Sequence, residues 1–388
     1  MKISEVKSTT SFKEDEHIPD IYFQKIVIEE CTGLKVSKLE LIHVNKDYVF
    51  DGTWDISSYF TLVKVPISNT IQKQVNKKIN ECIKFLLNGF PDFKPGLHCK
   101  KPNACPHFDD CTKNLGTVLN LRRGGKKIWE FVDEGIKDIS EVQDVTRLSV
   151  FQLKQYEAEK YNRPHLDIPK ISDFLERITF PCSMLDFEGF STPIVHKLGL
   201  KKLKPYSQII FQANLKIAES FHTEALKEFG VIATPGADPR KQVAEFLFNN
   251  VPDTGSVVVY FKNYEVTRIL ELIELFPAYE KKFQSILNRI VDLEEVFSQG
   301  FYVDQCFKGS SSIKKVLGVV CKEFEAAYKN LPLINNGQTA SIKYLQIYQG
   351  FMGRKERDEV LRALEFYCSL DVLSLWKVIQ QLRSICGK

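Results

Sequence analysis

No stretch of this chain approaches the ~20 consecutive apolar residues that a membrane-spanning helix requires, so no transmembrane helix is expected. The opening Met-Lys-Ile-Ser-Glu-Val-Lys has no apolar core of the kind an export signal carries. A reducing cytoplasm is therefore the expected setting, and the 10 cysteines are expected as thiols or metal ligands, not as a disulfide framework. Internal repeats and low-complexity tracts are absent, which excludes solenoids and linker-like chains. Excess charge of one sign is lacking too. A net charge of +4 permits nucleic-acid binding without arguing for it. What remains is an ordinary globular composition, 44% hydrophobic and 26% charged, in 388 residues, enough for two or three domains.

Against that plain background two acidic motifs stand out. The first is Asp186-Phe187-Glu188, within Cys182-Ser-Met-Leu-Asp-Phe-Glu-Gly-Phe190. Its alternation reads as a strand, and residues i and i+2 of a strand share a face. The second is Tyr367-x-x-x-Asp371 on an apolar-periodic stretch, where i and i+4 share a face of a helix. Each alone is usually a solvated pair. Here Ile178, Phe180, Met184 and Leu185 flank the first, and Leu364, Phe366, Leu370 and Leu373 surround the second. Charges set among core-forming residues need partners. Carboxylates gathered from a strand and a distant helix point to a divalent-metal site and phosphoryl chemistry.

The chain is expected in three parts. Residues 1–115 read strand (2–8), helix (about 21–31, closed by Gly33), strand (38–44) and helix (71–88), an α/β unit followed by a Cys- and Pro-rich loop from Phe90 to Lys113. Residues 116–178 read as a helical connector, with segments 126–134 and 147–161 as small helices. Its basic run Arg122, Arg123, Lys126, Lys127 suits a solvated surface better than a phosphate site. Residues 179–388 read as an α/β domain with a mixed sheet. Strands are expected at 180–187, 207–217 and 256–261, and helices at 239–250, 264–275, 279–288, 312–328 and 356–386. Glu265, where the strand through Tyr260 turns into a helix, can reach the same centre as Asp186. Asp292 is a further acidic candidate, placed to support a ligand or simply to end an element.

Asp186-x-Glu188 and Tyr367-x-x-x-Asp371 together resemble the DnaQ-type (DEDD, subclass y) 3′–5′ exonucleases of the ribonuclease-H-like fold. The middle motif departs from that pattern: Glu265 stands where an Asp is usual, and Phe261 stands near the usual Asn. Four strings in order are similar to one bacterial family of unknown function known from mycoplasmas, in which a RecB-like nuclease domain precedes a DnaQ-like domain. They are Leu185-Asp-Phe-Glu-Gly-Phe190, Pro205-Tyr-Ser-Gln-Ile-Ile-Phe-Gln212, Gly309-Ser-Ser-Ser-Ile-Lys-Lys-Val-Leu317 and Tyr367-Cys-Ser-Leu-Asp371. The resemblance implies two Mg2+ or Mn2+ ions held by Asp186, Glu188, Glu265 and Asp371, with Tyr367 orienting the attacking water. It also implies a nucleic-acid substrate, DNA or RNA, cut at a single-stranded 3′ end. Lys314, after the Gly-Ser-Ser-Ser run, is a candidate phosphate contact, with an ordinary helix-surface lysine as the alternative.

Two signals lie in the first part. Glu5-Val6-Lys7 puts an acid and an ammonium on one strand face and resembles the Glu-x-Lys half of a PD-(D/E)XK nuclease motif, with Gln24 resembling the Gln that follows in RecB-like members. The Asp expected upstream has no place before Glu5, so this domain is expected to be incomplete, unless an upstream RecB-like polypeptide supplies the missing ligands. Cys99-x5-Cys105-x5-Cys111, with Pro102 and Pro106 between, suits a soft-metal site. It is similar to the three C-terminal cysteines of cluster-bearing RecB-like nucleases. An iron–sulfur cluster or Zn2+ is implied, with Cys31, His98 or His107 as fourth ligand; three unliganded thiols are the alternative. The remaining six cysteines read as ordinary thiols. Two rivals to a nuclease stand beside it: a nucleic-acid-binding protein without catalysis, and a cluster-bearing structural subunit.

Overall fold

The computed structural model describes residues 1–89, 93–101, 103–329, 331 and 333–388. Phe90, where the Cys-rich loop was expected to begin, and Pro102 lie outside the described residues. The chain divides into two compact units: residues 1–113 with 191–207, and residues 114–190 with 208–388. The segment 116–178 thus counts with the larger unit.

In the first unit β1 (Lys2–Lys7), α1 (Glu14–Thr32), β2 (Lys38–Val44), β3 (Phe60–Val65) and α2 (Asn69–Asn88) form a three-stranded sheet under two helices. β1 runs parallel to β2 and β3 antiparallel to it. Ile3, Leu39, Leu41 and Val65 pack against Ile21, Tyr22 and Ile26 of α1. α1 starts earlier than its apolar pattern suggests and carries Pro19 inside it. Glu14, Asp15 and Glu16 occupy its first turn, where acidic side chains favour the positive end of the helix. β3 escapes a sequence reading because Phe60, Leu62 and Lys64 of its outer face are exposed. Segment 191–207 joins this unit through a bridge between Phe50 and Leu203, a Tyr59 hydroxyl donated to the Pro193 carbonyl, and Trp54 stacked on His196.

The second unit is built on a five-stranded mixed sheet. Its strands are β4 (Cys182–Phe190), β5 (Ile209–Ala218), β6 (Lys227–Ile232), β7 (Val257–Val259) and β8 (Ile290–Asp292), in the order β6-β5-β4-β7-β8. β4 is central, antiparallel to β5 and parallel to β7. β7 is three buried valines, as expected of a parallel strand covered on both faces. β6 and β8 were not anticipated: β6 is largely exposed, and β8 is only three residues long.

Helices cover both faces. On one, α3 (Pro239–Asn250), α4 (Asn263–Leu275) and α5 (Glu280–Leu287) bury Val243, Leu247, Ile269, Leu272 and Phe283 against Leu185, Phe187 and Leu215. α3 begins with Asp238 capping its N-terminus and Pro239 at the first helical position. The expected helix 312–328 is two, α6 (Ile313–Val320) and α7 (Lys322–Lys329), broken where Cys321 takes an extended-side backbone angle. α8 (Gly337–Tyr348) and α9 (Arg354–Ile385) complete the unit. α9 lays Leu370, Val372, Leu375, Trp376 and Ile379 on Cys182 and Met184 of the other sheet face. Each such fully buried apolar side chain contributes about 1.5–3 kcal/mol. Among the described residues no helix is long and apolar enough to cross a membrane.

Candidate metal centre

Side chains of β4 alternate between the two helix layers. Cys182 and Met184 face α9 and are buried beneath it. Asp186 and Glu188, two and four residues on, share that face. α9 is tied down there by Gln212, whose side-chain amide donates to the Leu364 carbonyl at 2.8 Å. One turn further along α9 comes Tyr367, and one turn beyond it Asp371. Ligand atoms of Asp186, Glu188 and Asp371 all lie within 4.8 Å of one another. Among the described residues this is the only group of three or more His, Cys, Asp or Glu side chains gathered so closely.

The electrostatics follow from that crowding. Burial raises the Asp186 carboxyl well above its ordinary range, and the charges of Asp371, Glu188 and Glu265 push it the same way. Glu188 is pushed up to about 8 by burial and by Asp371, with Lys314 opposing. Lys314 donates to the Asn335 carbonyl at 2.9 Å, and its ammonium lies 5.9 Å from the centre of the Tyr367 ring. α8 also begins here: a Cβ on Gly337 would stand 3.4 Å from Glu188 Oε2.

Glu265 is not a member of the close trio. It is buried in the first turn of α4, where burial pushes its carboxyl up to about 8, a bond from its own backbone N–H opposes, and Asp292 adds to the rise. Its charge is nevertheless felt at Asp186. Asp292 has a different task from ligation. Its carboxylate accepts the N–H groups of Phe261 at 2.9 Å, Lys262 at 3.1 Å and Glu294 at 3.1 Å, which fixes the turn that presents Glu265.

Four residues that the sequence reading passed over belong to this centre. Cys368, read as an ordinary thiol, is fully buried with its Sγ 3.7 Å from Asp186 Oδ2. Asn214 and Gln212 stand opposite Asp186 and Glu188 on β5. Tyr264 places its hydroxyl where a side chain on Gly189 would collide, at 2.6 Å from a Cβ built there. That close approach coincides with a bulge in β4 between Glu188 and Gly189. The stripe on β5 was visible in outline: Gln212, Asn214 and Lys216 recur at every second position of an otherwise apolar run.

A divalent cation fits the donors present. Asn214 Oδ1, Gln212 Oε1 and Glu265 Oε2 are buried without a hydrogen-bond partner. Three crowded carboxylates and three unmatched acceptor oxygens all call for positive charge or for donors.

The other two candidate sites are built differently. In the first unit Lys7 bonds Glu5 at 3.0 Å and also Asp20, a residue the sequence reading did not single out. Gln24 bonds the same Asp20. Cys99 and Cys105 are half-buried, Cys111 is exposed, and all three are free thiols. Cys105 N–H donates to the Cys99 carbonyl at 2.8 Å, yet their sulfurs form no ligand cluster with Cys111 or a neighbouring His among the described residues.

Comparison with known proteins adds family resemblance without chemistry. The chain is 27% identical over 217 residues to uncharacterized protein MG366 of Mycoplasma genitalium, covering 52% of this chain and 32% of that protein. It is 24% identical over a 396-residue alignment to uncharacterized protein UU173 of Ureaplasma parvum, covering 96% of this chain and 52% of that protein. The chain therefore spans about a third to a half of the length of these relatives. No solved structure matches it. Residues 183–312, which include Asp186, Glu188, Glu265 and Asp292 but neither Tyr367 nor Asp371, match the family described as Domain of unknown function (DUF2779).

Proposed function

We propose that this chain is a metal-dependent nuclease that hydrolyses phosphodiester bonds, working from the 3′ end of single-stranded DNA or RNA on a ribonuclease-H-like sheet. The observation that carries the reading is the convergence of Asp186 and Glu188 from β4 with Asp371 from α9, all within 4.8 Å. A mixed sheet with the acidic strand at its centre supports the same fold. The 3′ direction rests on the resemblance of the motifs to DnaQ-type exonucleases.

Asp186, Glu188 and Asp371 would hold Mg2+ or Mn2+, with Glu265 completing the ligands of a second ion. Divalent ions so held neutralise phosphate charge and make water a better nucleophile. Tyr367 orients the attacking water from one helical turn before Asp371. Lys314, whose charge already reaches Glu188, takes the phosphate on the open side. In the first unit Lys7 is engaged by two carboxylates, so we assign hydrolysis to the second unit.

The test is a 5′-labelled single strand incubated with the purified chain and Mn2+ or Mg2+. Stepwise shortening from the 3′ end, abolished by EDTA, is expected. Binding without shortening would favour a nucleic-acid-binding protein instead, a reading that Glu265 gains by standing outside the close trio.

A further inference from the structure

One residue beside the metal centre is held in a conformation that packing does not explain. Phe261 has φ of 65°, in the left-handed region. An aromatic side chain rarely occupies that region, and such outliers concentrate at functional sites. The ring has no burial to compensate the strain: Phe261 is 53% exposed. The backbone is fixed from the other side, where the Asp292 carboxylate accepts the N–H groups of Phe261 and Lys262. The structure thus holds an apolar ring out in water on a rigid support.

Its position gives the ring an occupant. β4 and β7 are parallel neighbours with Met184 opposite Val258. β7 ends at Val259, so the chain leaves the sheet through Tyr260 and Phe261 beside the strand that carries Asp186 two residues beyond the paired Met184. The helix that follows touches the centre twice. The Tyr264 hydroxyl crowds the backbone just after Glu188, and the Glu265 charge reaches Asp186. Phe261 and the exposed Lys262 therefore stand at the rim of the carboxylate centre, an aromatic face beside a cation. Single-stranded nucleic acids are held by that pairing: bases stack on rings while cations follow the backbone.

We propose that Phe261 is a base-stacking platform that holds the terminal base of a single strand while its phosphodiester faces Asp186, Glu188 and Asp371. The proposal rests on the nuclease reading and adds a substrate contact to it. Because stacking accepts any base, Phe261 makes the site selective for an unpaired end and tolerant of its sequence.

The experiment uses the full chain with Ca2+ in place of Mg2+ and a single-stranded oligonucleotide carrying 2-aminopurine at its 3′ end. Stacking on the ring quenches that fluorophore. Wild type and Phe261→Trp are expected to quench it, and Phe261→Ala to lose most of the quenching with affinity falling about tenfold or more, the scale of one base–aromatic stack. Phe261→Gly separates this role from a structural one. Glycine tolerates the left-handed backbone, so this variant is expected to melt at a temperature no lower than wild type while losing the quench. Unchanged quenching in Phe261→Ala, with binding intact, overturns the stacking role and leaves the nuclease reading standing. A clear fall in melting temperature for Phe261→Gly makes the ring structural and also overturns the role. Failure of the wild type to bind any single strand overturns both.

Discussion

Each of the two units sets a strand-borne glutamate beside an aspartate from a helix, and the first places a cation between the two. In the first unit the ammonium of Lys7 sits between Glu5 and Asp20. The Asp20 carboxyl is held below its ordinary value by its bond to Lys7, against the effect of burial. Lys7, against the same effect, is held above its own by Asp20 and Glu5. One ammonium is shared by two carboxylates, on side chains 23–40% exposed. In the second unit Asp186, Glu188 and Asp371 converge under α9, and the carboxyls of Asp186 and Glu188 are pushed up. The first arrangement carries its own cation; the second gathers three carboxylates within 4.8 Å of one another. Similar residues thus make an ion pair in one place and a candidate metal centre in the other.

The sharpest way to break that contrast is Asp186→Asn. Asp186 is the member of the trio whose carboxyl feels Asp371, Glu188 and Glu265 together. The substitution keeps its size and removes its charge. Metal-dependent cleavage is expected to fall by a thousandfold or more, about 4 kcal/mol of transition-state stabilisation. The fold is expected to survive, because a repulsive charge has been removed. Single-turnover cleavage paired with a circular dichroism melt checks both halves; wild-type cleavage by the variant would remove the centre from the chemistry.

The same repulsion makes a pH prediction. Glu188 and Glu265 stand at about 8 in the folded protein against an ordinary 4.5. A carboxyl raised by folding favours the folded state while protonated and loses that advantage as pH climbs from its unfolded to its folded value. Metal-free protein is therefore expected to lose stability between about pH 5 and 8, at up to about 1.4 kcal/mol per pH unit per group. Above pH 8 the trend flattens. Mn2+ at a hundred times its dissociation constant adds about 2.7 kcal/mol. Its effect on the melting temperature is expected to be large at pH 8 and small at pH 5.5, where protons compete for the ligands. A Mn2+ effect independent of pH would place the ion elsewhere.

Tyr367→Phe is expected to act more mildly. Tyr367 is buried, one turn from Asp371 on α9, and its ring carries the Lys314 ammonium on its face. The ring survives the substitution, so packing and the cation contact remain. What goes is one hydrogen bond to a developing hydroxide, about 1.5–3 kcal/mol, or roughly tenfold to a hundredfold in rate. The loss is expected in kcat with KM little changed, because the bond is needed in the transition state. An equal loss in KM alone would make Tyr367 a substrate contact.

The motif residues were legible because strand and helix periodicities fix which side chains share a face. Asp186 with Glu188, and Tyr367 with Asp371, needed only periods of two and four. Their meeting was a conjecture from chemistry that no periodicity supplies. Cys368 was missed because its neighbour Asp186 comes from another element, and contacts between elements leave no local pattern. Glu265 was read as a ligand from its place at a strand-to-helix junction, but how far a carboxylate reaches depends on the turn that Asp292 fixes. The exposed β6 and the three-residue β8 were illegible for a simpler reason: one lacks an apolar face and the other is too short to show a period. Asp20 was not singled out because it precedes the apolar pattern from about residue 21 that marks the helix, whereas α1 itself begins at Glu14.

The smallest effect sharpens the comparison from the other side. Lys7→Ala removes the cation of the first unit and leaves Glu5 and Asp20 facing each other. The lost ion pair is partly exposed, so its net worth is about 0–1 kcal/mol, and mild repulsion adds to that. Asp20 has its carboxyl lowered by Lys7, and a lowered acid contributes stability above its unfolded value that disappears as pH falls through the folded one. The melting temperature of Lys7→Ala is therefore expected to fall slightly at pH 7, and its deficit to shrink as acid titrates Asp20 through its lowered folded value. Cleavage by the second unit is expected to be unchanged at either metal. If Lys7→Ala abolishes cleavage while Tyr367→Phe retains it, the assignment of hydrolysis reverses, and the lysine between two acids is the working site.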